Sequence, residues 1–225
     1  MNKCLLIHGF TGGVFEVSPL ADYLEQRLYR ARTFTLSGHE GGRAALRRSD
    51  RRSWLQSAED ELLKLLEDGD NTSGAHIIGF STGALIGSAL SAKYPNRVRS
   101  LTLLSAPVFP LNPPEIVRTL ASADMLRQYM RKFRSTPPKA TREFRRMVRE
   151  SFDFYPKIAA PTLIVQGTRD HLVRAKSAAY LRENLGSPRK EVVMVDGSGH
   201  MVCHCADKER VMGRIHAFIE EAGAL

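Results

Sequence analysis

The chain has 225 residues, of which 43% are hydrophobic and 25% are charged, and its formal net charge is +9. These proportions fit a single soluble domain with a sizeable core, and no apolar run approaches the roughly 20 residues that a membrane-spanning helix needs. The apolar stretch after Met1 is too short for a signal peptide, and three cysteines do not make a disulfide framework. We therefore predict one domain over residues 1–225 in a cytoplasmic protein without a membrane span.

Short apolar runs alternate with segments of helical spacing along the chain. The runs predict six strands, and helices follow most of them. The predicted strands are Lys3–Ile7, Thr33–Leu36, a run that ends just before Ser81, Arg99–Leu104, Pro161–Gln166 and Glu191–Asp196. Because most of these strands are apolar throughout, we expect an α/β fold with a mainly parallel six-stranded sheet flanked by helices.

Capping residues and prolines mark where the predicted helices begin and end. Ser18 with Pro19 predicts the start of the first helix, and Ser53 is expected to cap a helix that runs to about Asp68. The polar segment from Ser37 to Arg52 has neither helical nor strand spacing and is predicted to be a loop. The remaining predictions are a turn from Asp70 to Gly74 and helices from Ser81 to about Tyr94, from Lys176 to Leu185 and from Asp207 to Glu221.

One insertion, residues 107–156, separates the fourth and fifth predicted strands. Its central part has helical spacing with a break predicted near Pro137 and Pro138. Between Glu115 and Glu150 the insertion carries ten Lys/Arg against four acidic residues. Insertions at the carboxyl ends of parallel strands lie over the binding site, so we expect a helical lid. A solvated helical face is the favoured interpretation of the charge, with weak contact to an anionic surface as the alternative. Aromatic residues are sparse there, which argues against specific nucleic-acid binding.

The motif Gly79-Phe80-Ser81-Thr82-Gly83 joins the third predicted strand to its helix. It fits the G-x-S-x-G pattern, in which a serine occupies a strained strand-to-helix turn. The two glycines remove side chains that would collide where strand and helix meet. The helix that follows directs unpaired backbone N–H groups toward the serine, where negative charge develops during acyl transfer. The motif therefore predicts Ser81 as a nucleophile.

Three polar residues, Ser81, Asp170 and His200, each follow a predicted strand, in the order Ser–Asp–His. This is the order of the triad on parallel α/β sheets, and it differs from two other well-known orders. His200 is predicted to take the proton of Ser81, and Asp170 to hold the imidazole in the required tautomer. The backbone N–H groups of Phe10 and Thr82 are the predicted oxyanion hole.

Taken together, the motifs resemble one known family. The segments His8-Gly9-Phe10-Thr11-Gly12, Ser37-Gly38-His39, Gly79–Gly83, the Asp170 turn and Gly197-Ser198-Gly199-His200 are similar to the small bacterial carboxylesterase and monoacylglycerol-lipase-like branch of the α/β-hydrolase family. The resemblance implies the α/β-hydrolase fold, the triad and oxyanion hole named above, no metal or cofactor, and hydrolysis of small-molecule esters with short to medium acyl chains through an acyl-enzyme.

Three differences from that family leave the substrate open. The family commonly has Gly-His-Gly where this chain has Gly38-His39-Glu40, and we expect six strands without the N-terminal hairpin of longer members. The predicted lid is also very basic. His39 is interpreted as a structural residue beside the pocket. The alternatives are the same triad acting on a thioester, a lactone or a carbon–carbon bond of an anionic substrate, and a non-catalytic ligand receptor. A metal site at His200, Cys203, His204 and Cys205 is disfavoured, because structural zinc needs a second, distant pair of ligands.

Overall fold

The computed structural model describes residues 2–68, 74–120 and 136–223. Its centre is a six-stranded sheet with the order β2-β1-β3-β4-β5-β6, in which all neighbouring strands are parallel. The predicted parallel sheet is confirmed. The strands are β1 (Lys3–Ile7), β2 (Arg30–Thr33), β3 (Ala75–Phe80), β4 (Val98–Leu104), β5 (Thr162–Gly167) and β6 (Lys190–Val195).

Helices connect the strands and cover both faces of the sheet. They are α1 (Ser18–Glu25), α2 (Gly42–Arg48), α3 (Arg51–Glu67), α4 (Thr82–Lys93), α5 (Pro113–Leu120), α6 (Pro138–Ser151), α7 (Lys176–Asn184) and α8 (Lys208–Gly223). Short 3-10 turns occupy Val14–Glu16, Tyr155–Lys157 and Val202–His204.

The core consists of two apolar layers, one on each face of the sheet. Successive side chains of a strand point to opposite faces, and β1 is buried along its whole length. Leu5 and Ile7 pack in the layer covered by α3, α4 and α7, whereas Cys4 and Leu6 pack in the layer covered by α1 and α8. Each fully buried Leu or Ile contributes about 1.5–3 kcal/mol of burial free energy, so the central strands form a firm support for the loops at their carboxyl ends.

The second strand lies three residues earlier than predicted. Residues Arg30–Thr33 pair with β1 at the edge of the sheet and are partly exposed, so this strand lacks the apolar signal of a central strand. Leu36, the strongest apolar residue of the predicted strand, is fully buried in the following loop, where its N–H donates to His8 Nε2 at 3.0 Å. The apolar character of Leu36 therefore reflects burial in a loop and not membership of a strand.

The segment predicted as a loop from Ser37 to Arg52 contains α2, and this prediction is wrong. Ala44, Ala45 and Leu46 favour a helix, but only Leu46 of α2 is buried, so its pattern is weak. The next helix begins earlier than predicted because Asp50 is its cap. The Asp50 side chain accepts from Ser53 N, and Ser53 Oγ binds Asp50 N, which is a capping box. Ser18 likewise does not cap α1: it is the first residue of that helix.

Within its described residues, the insertion at 107–156 contains the helices α5 and α6, whereas residues 107–112 are not helical. Its helix α6 begins at Pro138, which agrees with the break predicted near Pro137 and Pro138. Arg51 of α3 anchors α6 through ion pairs to Glu143 at 2.8 Å and Glu150 at 2.7 Å. Most of the predicted turn at 70–74 and residues 121–135 of the insertion, including several of its basic residues, lie outside the described residues.

Candidate active site

The strand-to-helix turn holds Ser81 in a strained conformation. Ser81 has φ +53° and ψ −117°, a region that costs a residue with a Cβ about 1–3 kcal/mol. A Cβ at Gly79 would lie 2.2 Å from the carbonyl oxygen of Gly83, and a Cβ at Gly83 would lie 2.1 Å from that of Ile7. Both glycines are therefore required by close backbone contacts, as the motif predicted. The turn itself is anchored by a hydrogen bond from Ser81 N to the Leu104 carbonyl oxygen at 2.8 Å.

Asp170 and His200 lie side by side after β5 and β6. His200 Nδ1 is 2.8 Å from Asp170 Oδ2, and the carboxyl group of Asp170 is buried. Burial raises the pKa of Asp170, but the hydrogen bond and charge of His200 and the N–H groups of Val173 and Leu172 outweigh burial and hold the pKa below its ordinary value. The ionised carboxylate accepts from Nδ1, so Nδ1 carries the proton and Nε2 is left as the basic nitrogen.

A cavity of about 170 Å³, partly open to solvent, lies beside the Ser81 turn. Ser81 and His200 both line it, and the ring of Phe80 lies against His200 with centroids 4.9 Å apart. Pro107, Pro110, Leu111 and Phe144 of the insertion contribute apolar lining. A mostly apolar cavity with a few polar groups is typical of a small-molecule site.

The two predicted oxyanion donors belong to two different segments of the chain, the loop after β1 and the start of α4. Thr82 is the first residue of α4, so its N–H has no intrahelical partner. Phe10 follows Gly9, whose carbonyl oxygen is bound by Gly12 N at 3.2 Å and by His8 Nδ1 at 2.9 Å. Because C=O and N–H point in opposite directions across a trans peptide, these two bonds turn the N–H of Phe10 away from the loop interior.

His8 fixes this peptide through its tautomer. Its Nε2 accepts from the backbone N–H of Leu36, which can only donate, so Nδ1 carries the proton and donates to the Gly9 carbonyl oxygen. Burial lowers the pKa of His8 to about 4, although the bond to Gly9 opposes the shift. His8 is therefore neutral at physiological pH. His39 packs edge-on against His8 and near Phe10, with centroids 5.3 and 6.3 Å apart, as expected for a structural residue.

Several residues that the sequence did not predict hold the site together. Gln166 Nε2 donates to Asp170 Oδ2 at 2.9 Å, and Asn112 Nδ2 donates to the Asp170 carbonyl oxygen at 2.9 Å. Ser105 Oγ donates to the His200 carbonyl oxygen at 2.8 Å. Glu16 is buried and lines the cavity. No motif marks these positions, because their roles depend on contacts distant in sequence.

The described residues contain no cluster of three His, Cys, Asp or Glu side chains arranged to hold a metal ion. In the segment weighed as a metal site, Cys203 is buried and burial raises the pKa of its thiol to about 12. His204 Nε2 instead lies 3.0 Å from the Phe15 carbonyl oxygen. Within the same part of the chain, no helix combines the length and apolar character needed to cross a bilayer.

A model of the alpha/beta hydrolase family matches residues 4–211. The chain belongs to this family. The predicted fold and the predicted family membership are both confirmed.

Relatives and solved structures within the family are similar over nearly the whole chain. A carboxylesterase from Bacillus subtilis (strain 168) is 21% identical, covering 96% of this chain and 92% of the relative. A thermostable monoacylglycerol lipase from Bacillus sp. (strain H-257) is 22% identical, and the match covers 97% of this chain and 91% of the relative. A solved structure from work on two metagenome-derived lipolytic enzymes has a TM-score of 0.82 at 21% identity and covers 97% of this chain and 93% of its own. These relatives agree with the predicted enzyme class, a carboxylic ester hydrolase.

Proposed function

We propose that this protein is a serine hydrolase that cleaves carboxylic esters of short to medium acyl chains through an acyl-serine intermediate. The observation that carries the proposal is the Asp170–His200 pair, which opens onto the same cavity as the strained Ser81 turn. Membership in the alpha/beta hydrolase family and the esterase and lipase relatives support the same reaction class. The free thiols Cys4, Cys203 and Cys205 support a reducing compartment, and we propose the cytoplasm.

The first half of the reaction forms the acyl-enzyme. His200 Nε2 takes the proton of Ser81 Oγ as the oxygen attacks the ester carbonyl carbon. The carbonyl oxygen becomes an oxyanion, which accepts hydrogen bonds from the N–H groups of Phe10 and Thr82. The imidazolium is stabilised by the carboxylate of Asp170 and then gives its proton to the departing alcohol oxygen as the carbon–oxygen bond breaks.

Water completes the reaction. His200 takes a proton from a water molecule that attacks the acyl carbon, and the same oxyanion donors stabilise the second tetrahedral intermediate. Collapse of this intermediate breaks the bond to Ser81 Oγ, which recovers its proton from the imidazolium. The products are a carboxylic acid and an alcohol, and the enzyme returns to its starting state without any cofactor.

The substrate size follows from the cavity and the insertion. We propose that residues 107–156 act as a lid, since Pro107, Pro110, Leu111 and Phe144 line the cavity. Phe144 of α6 stacks on Phe10 with centroids 5.2 Å apart and ring planes 9° apart, which closes the cavity beside the predicted oxyanion donor. This apolar boundary favours an acyl chain of limited length over a long one.

The test is turnover of p-nitrophenyl esters with acyl chains from two to sixteen carbons. Ser81→Ala should lower turnover of every ester by at least about 10³-fold, whereas Ser88→Ala should leave it unchanged. Ser88 is a matched control because it lies on the same helix, its hydroxyl donates to the Ala84 carbonyl oxygen and it does not line the cavity. Turnover that peaks at short or medium chains supports the proposal. Unchanged turnover in Ser81→Ala would overturn it.

A second candidate uses the same residues on an anionic substrate, such as a thioester or lactone that carries a carboxylate or phosphate. It is favoured by exposed cations on the outer face of α6, namely Arg142, Arg145 and Arg149. Electrostatic capture weakens as salt screens the charges. We therefore compare kcat/KM for an acidic ester and a matched neutral ester from low to high salt. A selective loss for the acidic ester supports this candidate, and equal rates without a salt effect exclude it.

We also propose that the basic insertion makes weak, salt-dependent contact with anionic surfaces. The exposed arginines of α6 and Arg47 and Arg48 of the neighbouring helix α2 provide the positive charge. Sedimentation with vesicles of neutral or anionic phospholipid measures this contact. Binding to anionic vesicles that disappears at moderate salt is expected, and equal binding to both kinds of vesicle would refute an electrostatic origin.

A further inference from the structure

The carboxylate of Glu16 is enclosed by the loop that carries Phe10. Gly9 N donates to Glu16 Oε2 at 2.8 Å, and Glu16 as a whole is 7% exposed. A Cβ at Gly12 would lie 2.1 to 2.2 Å from all three atoms of the carboxyl group. The turn from Gly9 to Gly12, closed by its own hydrogen bond of 3.2 Å, thus wraps around the carboxylate.

This carboxylate lies close to the predicted nucleophile. A Cβ at Gly9 would be 3.0 Å from Ser81 Cβ and 3.2 Å from Glu16 Oε2, so these two atoms are at most about 6.2 Å apart. Glu16 is the only acidic side chain among the described residues that line the cavity. Burying a carboxylate is costly unless hydrogen bonds compensate, and its charge opposes an oxyanion nearby. The unfavourable burial of this carboxylate must therefore be offset by an interaction that stabilises another part of the site.

That stabilising interaction acts on the orientation of the Gly9–Phe10 peptide. The N–H of Gly9 is held by Glu16, and its C=O is held by His8 and Gly12. Both polar groups of Gly9 are thus fixed, which leaves the Phe10 N–H directed outward from the loop. A glycine without these bonds has wide conformational freedom, and an oxyanion donor is effective only when it is oriented before the reaction.

We propose that Glu16 is a positioning residue for the oxyanion hole: its carboxylate holds the Gly9 N–H and thereby orients the N–H of Phe10 toward the reacting carbonyl. This inference rests on the proposed esterase function. Glu16 does not touch the substrate in this role and acts through the backbone. Its removal therefore affects the transition state, in which the oxyanion exists, more than ground-state binding.

The first test compares Glu16→Ala and Glu16→Gln in p-nitrophenyl ester turnover. Loss of one oxyanion donor costs about 10²–10³-fold in kcat, so disorienting it in Glu16→Ala should cost about tenfold to hundredfold, with KM changed less than about threefold. Glu16→Gln retains an acceptor oxygen without the charge and should stay within about fivefold of wild type. Glu59→Gln is the control, because Glu59 is equally buried but binds Lys93 and Tyr94 and does not line the cavity.

The second test displaces the carboxylate without removing it. Gly12 does not have positive φ, and the three atoms nearest to a methyl group at this position would all belong to the Glu16 carboxyl group. We expect Gly12→Ala to lower kcat at least tenfold, and the same change to cost less than about threefold more when made in Glu16→Ala, because the obstructing group is gone. This non-additivity is the signature of direct coupling between the two positions.

The outcomes separate this inference from the proposed function. If Glu16→Ala and Gly12→Ala both keep wild-type kcat, or if they change only KM, the positioning role is refuted while esterase activity stands. If Glu16→Ala does not fold, a wild-type kcat in Gly12→Ala refutes the role by itself. If the wild-type protein turns over no ester, the proposed function fails instead.

Discussion

His76 makes the stability of the fold sensitive to acid. It is fully buried in β3, with Nδ1 2.7 Å from Ser100 Oγ and Nε2 without a hydrogen-bond partner among the described residues. Burial, with a smaller effect from the charge of Arg99, lowers the pKa of His76 from 6.5 to about 4. The unfolded chain therefore takes up a proton at higher pH than the folded protein does. The contribution of His76 is complete above about pH 6.5 and is lost as the pH falls toward 4.

The size of this effect follows from the two pKa values. The free energy of unfolding should fall by about 2 kcal/mol at pH 5 relative to pH 8 because of His76 alone. Urea unfolding at several pH values, followed through the fluorescence of the buried Trp54, measures it in wild type and in His76→Leu. His8, which behaves similarly, is present in both and cancels from the difference. His204→Gln, at an exposed position, is the control. Equal losses in wild type and His76→Leu between pH 8 and pH 5 would refute the reasoning.

Three further substitutions test other parts of the structure. Asp170→Asn favours the wrong imidazole tautomer, so kcat in ester turnover should fall by about 10³-fold or more while circular dichroism is unchanged; a loss below tenfold contradicts the triad. Gly83→Ala would bring a methyl group within 2.1 Å of a backbone oxygen of β1, and urea unfolding should show a loss of at least about 2 kcal/mol, against less than about 1 kcal/mol for Gly87→Ala. Arg51→Met removes one of the two ion-pair partners of the buried Glu143 in α6. The free energy of unfolding should fall by about 1–3 kcal/mol in the same assay.

The sequence was most informative where local chemistry decides the structure. Central strands such as Ala75–Phe80 are buried at every residue, so an apolar run marks them directly. The turn at Ser81 needs glycines on both sides because backbone atoms lie within 2.2 Å of their missing side chains. Both features require particular residue types that can be recognised in the sequence alone, and both were predicted.

The sequence was least informative where contacts between distant segments decide. The edge strand Arg30–Thr33 has only one neighbour and is partly exposed, so its pattern is polar. Gln166 is an ordinary strand residue until the fold places its amide against Asp170. Glu16 resembles a surface glutamate, and only the enclosing turn around Gly12 identifies it as a buried carboxylate beside the site.

The most direct test of the central claim is labelling of the folded wild-type protein with a fluorophosphonate, followed by intact-mass measurement and peptide mapping. A fluorophosphonate reacts with a serine only when a base activates it and an oxyanion hole receives its phosphoryl oxygen. The account predicts one adduct per chain, located on Ser81, and none in Ser81→Ala. An adduct on another residue, or no adduct in folded wild-type protein, would contradict it.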